Sequence, residues 1–415
     1  MSAALPSLAG AGWLARPAAQ RIFAALDAQG QETRIIGGAV RNALMGVPVH
    51  EIDFATTATP EEVMGLAAAA GLKTVPTGID HGTLTVVAEG RGFEVTTLRE
   101  DIETDGRHAV VRFGRDWTAD AMRRDFTVNA LSVDVAGTVH DPVGGYADIL
   151  ARRIRFIGDA DRRIAEDRLR ILRFLRFSAE YGEGAVDGTG LSAAIRGRDG
   201  LRELSAERIG NEMRRLVMAP RAAEIVGLMQ EAGILGGVVA GVGYVGSFAR
   251  LVRFEQAVGA EPHMPLRLAA LVARVEEDVE RVTGRLRLTN AERDRMLAAL
   301  AARAVFTPLP GPRAARASLY RLGQPAWRDG LCLAFAEGTA AADDAAWTAL
   351  HGLPDNWTIP RFPLSGRDIV GRTIPSGPAV GALLRSVESW WVAQDFVPDE
   401  RALRARLQQE LAAQQ

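Results

Sequence analysis

Glu51 and Asp53 stand two residues apart in the segment HEIDFATT, shortly after a Gly37-Gly38 pair that is followed by Arg41. On an extended strand alternate side chains share a face, so these carboxylates should project together. Hard oxygen donors of this kind suit magnesium. A glycine turn lets the backbone approach phosphate oxygens while a guanidinium neutralises them. The chemistry open to such a set is metal-assisted phosphoryl or nucleotidyl transfer. Neither half is specific alone: an acidic-x-acidic triplet is most often solvated charge, and a glycine pair is most often a tight turn.

The surrounding elements must position these groups. The run RIIGGAVRNALMGVPVHEIDFATTATPEEV reads as strand, glycine turn, short helix and second strand. Further strands are predicted at His50 to Thr57, Thr83 to Ala88, Phe93 to Leu98 and Val128 to Val135, beside Thr33 to Ile36. Glu94 lies on a strand expected to neighbour the first, which makes it a candidate third carboxylate. The stretch from Arg99 to Asp120 is long and polar with few strand signals and reads as a loop of functional length. From about residue 150 a helical period takes over, as in RRIAEDRLRILRFLRFSAEYG and PLRLAALVARVEEDVERVTGRLR. Breaks are expected at the glycine-rich stretch 235–247, at 306–315, and at LPDNWTIPRFPLSGRD. The fold class is therefore α+β, a mixed-sheet part followed by all-helical parts.

At 415 residues the chain needs more than one core. It is 47% hydrophobic and 24% charged, with no run of about 18 apolar residues, so no membrane partner is expected. The first residues lack a signal-peptide pattern, and the cytoplasm is the expected compartment. Cys332 is the only cysteine, which excludes an internal disulfide and a zinc site built mainly from thiolates. A net charge of -2 argues against coating nucleic acid by global attraction but leaves room for a local basic groove. Lys73 is the sole lysine; all other side-chain positive charge is arginine, whose planar fork suits phosphates and base edges.

Six segments, GGAVRNALMG, EID, GIDHGTLTVV, FEVTTLRED, DGRHAVVRF and RRDFTVNALSVD, occur in this order. Together they resemble the bacterial-type (class II) branch of the CCA-adding enzyme and poly(A) polymerase family of tRNA nucleotidyltransferases, over residues 34 to 215. The resemblance implies a polymerase-β-like nucleotidyltransferase head at 1–140 and a helical neck with the nucleotide-selecting motif at 141–215. A helical body at 216–305 and an RNA-binding helical tail at 306–415 complete the implied division. Glu51 and Asp53 are then the magnesium ligands, with Glu94 an additional catalytic carboxylate. Gly37, Gly38 and Arg41 face the triphosphate, and Arg123, Arg124, Asp125 and Asn129 contact triphosphate and ribose. The 99–120 stretch corresponds to the family's loop for switching from C to A addition, and Asp141, Gly144 and Gly145 to a hinge. Two positions depart from the family pattern: aspartate is common where this chain has Asn42, and an aspartate pair where it has Glu51 and Asp53. Glutamate keeps the charge, and position 42 is expected to support the loop.

The stretch AEDRLRILRFLRF places Glu166, Asp167 and Arg170 within one expected helical turn, followed by Arg173 and Arg176. Cytosine and adenine each show an amino donor beside an unprotonated ring nitrogen, whereas uracil and guanine show a carbonyl beside an N–H. A carboxylate acceptor next to an arginine donor fits the first pair and rejects the second. The family's E-D-x-x-R motif is assigned this role, so all five residues are counted with the nucleotide. Glu207, Arg208 and Glu212 resemble a neck-buttressing motif, although an ordinary charge ladder accounts for them equally well. Trp390 and Trp391 could stack on RNA, with packing the better-supported role.

The expected activity is addition of C, C and A to the 3′ end of transfer RNA from CTP and ATP, with magnesium ions and release of pyrophosphate. The partners are the acceptor arm and those two nucleotides. A poly(A) polymerase or A-adding enzyme shares the head, although the basic-aromatic signature of bacterial polymerases is missing here. A non-catalytic RNA-binding paralogue is the rival from another class.

Overall fold

The computed structural model describes residues 4–105, 108–368 and 378–413. The chain divides into two compact units, Met1–Val238 and Val239–Gln415. Their boundary falls inside the glycine-rich stretch 235–247 that the sequence marks as a break.

The first unit begins with α1 (Pro17–Leu26) and holds a mixed sheet. Its strands are β1 (Thr33–Ile36), β2 (Asp53–Thr56), β3 (Lys73–Gly78), β4 (Thr83–Ala88) and β5 (Arg91–Thr97). A two-stranded hairpin, β6 (Arg99–Asp105) and β7 (His108–Phe113), forms its own sheet, and β8 (Ser132–Val133) and β9 (Val139–His140) complete the larger one. The order is β3-β4-β5-β2-β1-β8-β9, with β2 and β5 parallel and every other neighbouring pair antiparallel.

Register sorts the side chains into two faces. Ile35 lies opposite Phe54, and Phe54 beside Val95, all three buried. Helix α1 precedes β1, α2 (Gly38–Leu44) follows β1 and α3 (Pro60–Ala69) follows β2, and α1 and α3 pack together over this face. Phe23 meets Phe54 edge-on at 5.2 Å between ring centroids, and Phe54 meets Phe93 at 6.0 Å. Such pairs add about 0.5–1.5 kcal/mol to the burial of each ring. On the opposite face Asp53, Ile36, Ser132 and His140 line up in one row across four strands. The core face thus fixes which side chains are presented on the other.

Three expectations change. Val128 to Val135 is not one strand: Thr127–Asn129 is a 3-10 turn, and only Ser132–Val133 pairs. Asn129 N–H donates to the Phe126 carbonyl and its side chain to Asp125, local bonds that override β propensity. The 99–120 stretch is not an open loop but the β6–β7 hairpin followed by α4 (Trp117–Met122), capped by Asp116. Backbone pairing supplies that hairpin where apolar alternation is weak. Strand β3 gave no signal because it is an exposed edge strand carrying Pro76 and Lys73, a composition that blocks further pairing.

The remainder of the unit is helical: α5 (Gly145–Leu150), α6 (Ala160–Glu166), α7 (Leu169–Tyr181), α8 (Gly188–Gly197), α9 (Ala206–Met218) and α10 (Ala222–Glu231), with α11 (Leu235–Val239) at its end. Phe126 packs against Phe156 and Phe177, joining the turn before β8 to α7.

The second unit contains α12 (Val245–Val258), α13 (Met264–Val272), α14 (Glu276–Leu286), α15 (Asn290–Arg303), α16 (Pro312–Glu337), α17 (Ala345–Asn356), α18 (Pro378–Ala393) and α19 (Glu400–Ala412). Helix α16 breaks at Gly323, whose φ is 75°. Trp391 is buried against Leu383, Val387, Leu403 and Leu407 and donates Nε1–H to the Pro398 carbonyl at 3.0 Å. Trp390 packs against the same cluster, with Arg406 over its ring. Both tryptophans therefore pack. Residues 369–377 of the glycine-rich run before them lie outside the described residues. Among the described residues no helix is long and apolar enough to cross a membrane.

Gly144 and Gly145 can be told apart. A Cβ on Gly145 would fall 2.1 Å from the Thr127 carbonyl oxygen, a clash with backbone, whereas Gly144 has φ 75° and open space. Gly145→Ala should cost stability at the upper end of about 1–3 kcal/mol, and Gly144→Ala only about 1 kcal/mol. Thermal melting of the two variants checks this, and equal losses would contradict the packing described.

Candidate active site

Strand β1 ends at Ile36, and Gly37, with φ 65°, turns the chain into α2. The conformation calls for glycine, while a Cβ there would be in ordinary contact with Arg124 Nη1 at 3.5 Å. The turn opens on a cleft of about 420 Å³ lined by Gly37, Gly38, Arg41, Asp53, Arg124, Asp125, Asn129, Asp167, Arg170, Arg173 and Phe177, with Ile36 at its floor. Residues far apart in sequence, from the two sheet motifs and from α7, thus share one surface.

Arg41 is only 6% exposed. Its Nη1 donates to Asn129 Oδ1 at 2.5 Å, its Nε and Nη2 to Asn42 Oδ1 at 3.1 and 2.8 Å, and its Nη2 also to the Tyr181 hydroxyl at 2.9 Å. All of these acceptors are neutral, and among the described residues no carboxylate pairs with Arg41. Burial holds its pKa below the ordinary arginine value. A buried cation without a counter-charge is costly, and an anion entering the cleft relieves that cost.

The other cleft arginines are paired. Arg124 bonds Asp120 at 2.9 Å, Arg170 bonds Glu166 at 2.6 Å, and Arg173 bonds Asp125 at 2.6 Å. Burial pushes the Asp125 carboxyl up, but Arg173, Asn129 and the Phe126 N–H together hold it below the usual carboxylate range. A larger cavity of about 830 Å³ lies within the second unit, but its arginines are matched by acids, Arg295 to Asp329 at 2.6 Å and Arg328 to Asp355 at 2.5 Å. Among the described arginines lining the smaller cleft Arg41 is the one without an ion-pair partner, although Glu180 and Asp125 lie near enough to favour its charge.

Asp53 opens β2 and lies beside Glu94 of β5, because Phe54 is in register with Val95. Glu51 precedes the strand instead of lying in it, and Glu51 and Glu94 are both exposed outside the cleft lining. Both are close enough to act on Asp53. Burial first, then Glu94 and Glu51, push its carboxyl up to about 6 against the pull of Arg124.

Asp167 also departs from the expected single turn. Helix α6 ends at Glu166 and α7 starts at Leu169, with Asp167 extended between them at φ -153° and ψ 110°. Its Oδ2 accepts from Arg208 Nη2 at 2.7 Å and its Oδ1 from Leu169 N–H at 3.0 Å. Glu166, not Asp167, is the acid on Arg170. Three residues counted with the nucleotide stand outside the cleft lining: Glu166 bonds Arg170 at 2.6 Å, Arg123 bonds Asp120, and buried Arg176 bonds Glu212 at 2.5 Å and Glu180 at 2.7 Å. Sequence reasoning missed Asp120, Phe177 and Tyr181. Phe177 and Tyr181 follow Arg173 at four-residue spacing on α7, a pattern that in sequence reads as ordinary helix packing.

Comparison with known proteins fits this geometry. Residues 33–155 match the Poly A polymerase head domain. A mouse protein, "CCA tRNA nucleotidyltransferase 1, mitochondrial", is 33% identical over 372 residues, covering 88% of this chain and 83% of that protein. The chain belongs to the CCA tRNA nucleotidyltransferase family. A CCA-adding enzyme of Geobacillus thermodenitrificans is 41% identical over 215 residues, about half of each chain (51% and 52%). The crystal structure of the Bacillus stearothermophilus CCA-adding enzyme in complex with CTP superposes with a TM-score of 0.73 at 28% identity, over 96% of this chain and 99% of that one. This nucleotidyltransferase therefore has the family's mixed-sheet head and helical continuation, and it is an enzyme of the nucleotidyl-transfer class. Its family-atypical Asn42 uses an amide: Oδ1 accepts from Arg41 while Nδ2 donates to the Pro48 carbonyl at 3.1 Å, a bond that an aspartate could not make.

The Asp53 carboxylate gives a pH test on the metal-free protein. Its folded pKa of about 6 lies above the unfolded value, so ionised Asp53 destabilises the fold fully above about pH 6. That penalty shrinks as pH falls and is gone below the unfolded value of 3.8. Asp53→Asn should therefore melt higher than the parent at pH 7.5, with the two curves converging near pH 4.

Proposed function

We propose that the protein rebuilds the CCA end of transfer RNA, joining C, C and A to the 3′-hydroxyl from CTP and ATP with release of pyrophosphate. The observation that carries this reading is the single cleft in which Asp53, the unpaired Arg41 and the Asp167–Arg170 edge share one surface. Its relatives' names and the CTP complex of the bacterial structure support the same substrates.

Among the described residues no three acidic, imidazole or thiol groups converge as a metal cluster. The donor chemistry nevertheless fits magnesium: Asp53 is an oxygen donor whose charge Glu94 and Glu51 disfavour, a repulsion that a divalent ion would relieve. Asp53 and Glu51 would hold it, with Glu94 behind, and phosphate oxygens would complete its shell. Bound there, magnesium supplies the Lewis acidity that activates the RNA hydroxyl and stabilises the departing pyrophosphate, by the two-ion scheme in this reading.

The chain's own residues do the remaining work. Arg41 takes the triphosphate charge, and Gly37 and Gly38, without side chains, let it approach the backbone. Arg124, Asp125 and Asn129 line the same cleft beside Gly37 and Arg41 and would meet the triphosphate and the ribose. Asp167 keeps an acceptor lone pair for the amino group of C or A, fixed in direction by Arg208. Arg170 is anchored through Nη1 on Glu166 and the Arg163 carbonyl, which leaves Nη2 to donate to the ring nitrogen.

The reading includes a head at 1–140, neck at 141–215, body at 216–305 and tail at 306–415, the helical parts binding the acceptor arm by shape and phosphate contacts. It places the reaction in the cytoplasm.

Transfer RNA ending at the discriminator base, given CTP and ATP together, should gain three nucleotides and stop. Long A tails would instead make the protein a polymerase. Asp53→Ala should lose on the order of 100-fold or more in rate, beyond the loss of an outer partner, with an unchanged circular dichroism spectrum. Asp167→Ala should let UTP and GTP compete, and intact C-and-A selectivity in that variant would remove Asp167 from base selection.

A further inference from the structure

Tyr181 closes α7, and no step of the proposed reaction uses it. Its hydroxyl accepts from Arg41 Nη2 at 2.9 Å and donates to Glu180 Oε1 at 2.7 Å, and its ring centroid lies 4.0 Å from the Arg41 guanidinium carbon. The other Glu180 oxygen accepts from Arg176 at 2.7 Å, and Arg176 in turn donates to Glu212 of α9 at 2.5 Å. The cleft arginine is thus tethered, through one phenol and the half-buried Glu180, to the buried Arg176–Glu212 pair, a chain of charges anchored on two helices.

A phenol differs here from a carboxylate. A carboxylate in direct contact would fix Arg41 but cancel its charge. A neutral hydroxyl fixes one N–H and the ring supports the guanidinium face, while the positive charge stays available. Burial above all, with Glu180 adding to it against Arg41, pushes the Tyr181 pKa up to about 12, so the hydroxyl stays neutral in the working range. Asn42 and Asn129, the remaining acceptors of Arg41, are neutral as well.

We propose that Tyr181 is a positioning residue that holds Arg41 for the triphosphate of the incoming nucleotide by neutral contacts, preserving its charge for the phosphates. This rests on the reading of Arg41 as the triphosphate contact. Anchoring acts on nucleotide binding, not on chemistry, so the effect belongs in KM and Kd.

The test is Tyr181→Phe, which keeps the ring and removes the hydroxyl, alone and combined with Arg41→Met. In CCA addition the KM for CTP and for ATP should each rise about three- to tenfold, the range for one lost hydrogen bond, with kcat within about twofold. In the Arg41→Met background Tyr181→Phe should add nothing further. Where Tyr181→Phe lowers the melting temperature, the Kd for CTP, titrated by tryptophan fluorescence well below that temperature, carries the comparison and should rise by the same factor. Unchanged KM and Kd, a fall in kcat alone, or effects that simply add to those of Arg41→Met would each overturn the proposal. If Arg41→Met itself leaves nucleotide KM unchanged, the reading of Arg41 fails; if it raises KM while Tyr181→Phe does not, only the role of Tyr181 fails.

Discussion

Asp125 commits its buried carboxylate to three donors, accepting from Asn129 and the Phe126 N–H on one oxygen and from Arg173 on the other. The Asn129 bond fixes the turn before β8, and with it the Asn129 oxygen that receives Arg41. The Arg173 bond fastens that turn to α7, the helix that presents Arg170, Phe177 and Tyr181. Removing one partner of such a pair leaves an uncompensated buried charge, a cost of about 3–5 kcal/mol. The cleft wall, Arg41 and the α7 face that carries Arg170 are therefore held in one piece by one carboxylate.

The sheet obeys the same economy of placement. Ile35, Phe54 and Val95 commit one face to the core, and the pleat then turns Asp53 and Ile36 to the other without further instruction. Strand registry, not a dedicated scaffold, brings Glu94 alongside Asp53. Charge crowding at that point is a by-product of registry.

Much of this was legible in the residues. Periodicity located β1 and β4 to the residue, and the ordered motifs brought Arg41, Asp53, Arg124, Asp125, Asn129, Asp167 and Arg170 to one site. What sequence could not supply was partner choice. Spacing pairs Arg170 with either Glu166 or Asp167, and only the helix break at Asp167 assigns Glu166 to Arg170 and Asp167 to Arg208. Arg176 was grouped with the nucleotide because it continues the arginine series, yet α7 turns it inward to Glu212. The β6–β7 hairpin and β3 were missed for a different reason: their strands are held by backbone pairing, with little of the apolar alternation that betrays a buried face. Tyr181 was overlooked because one tyrosine at a helix end carries no signal until its hydroxyl is seen to lie against Arg41.

The edge strand β3 carries the chain's only lysine, exposed beside Pro76. Its ammonium guards an unpaired sheet edge, so every other side chain that meets phosphate with permanent positive charge must do so through a guanidinium. Guanidinium groups do not titrate below about pH 12, and they are not substrates for lysine acetylation. Acyl modification of lysine therefore has no target among the arginines that line the cleft.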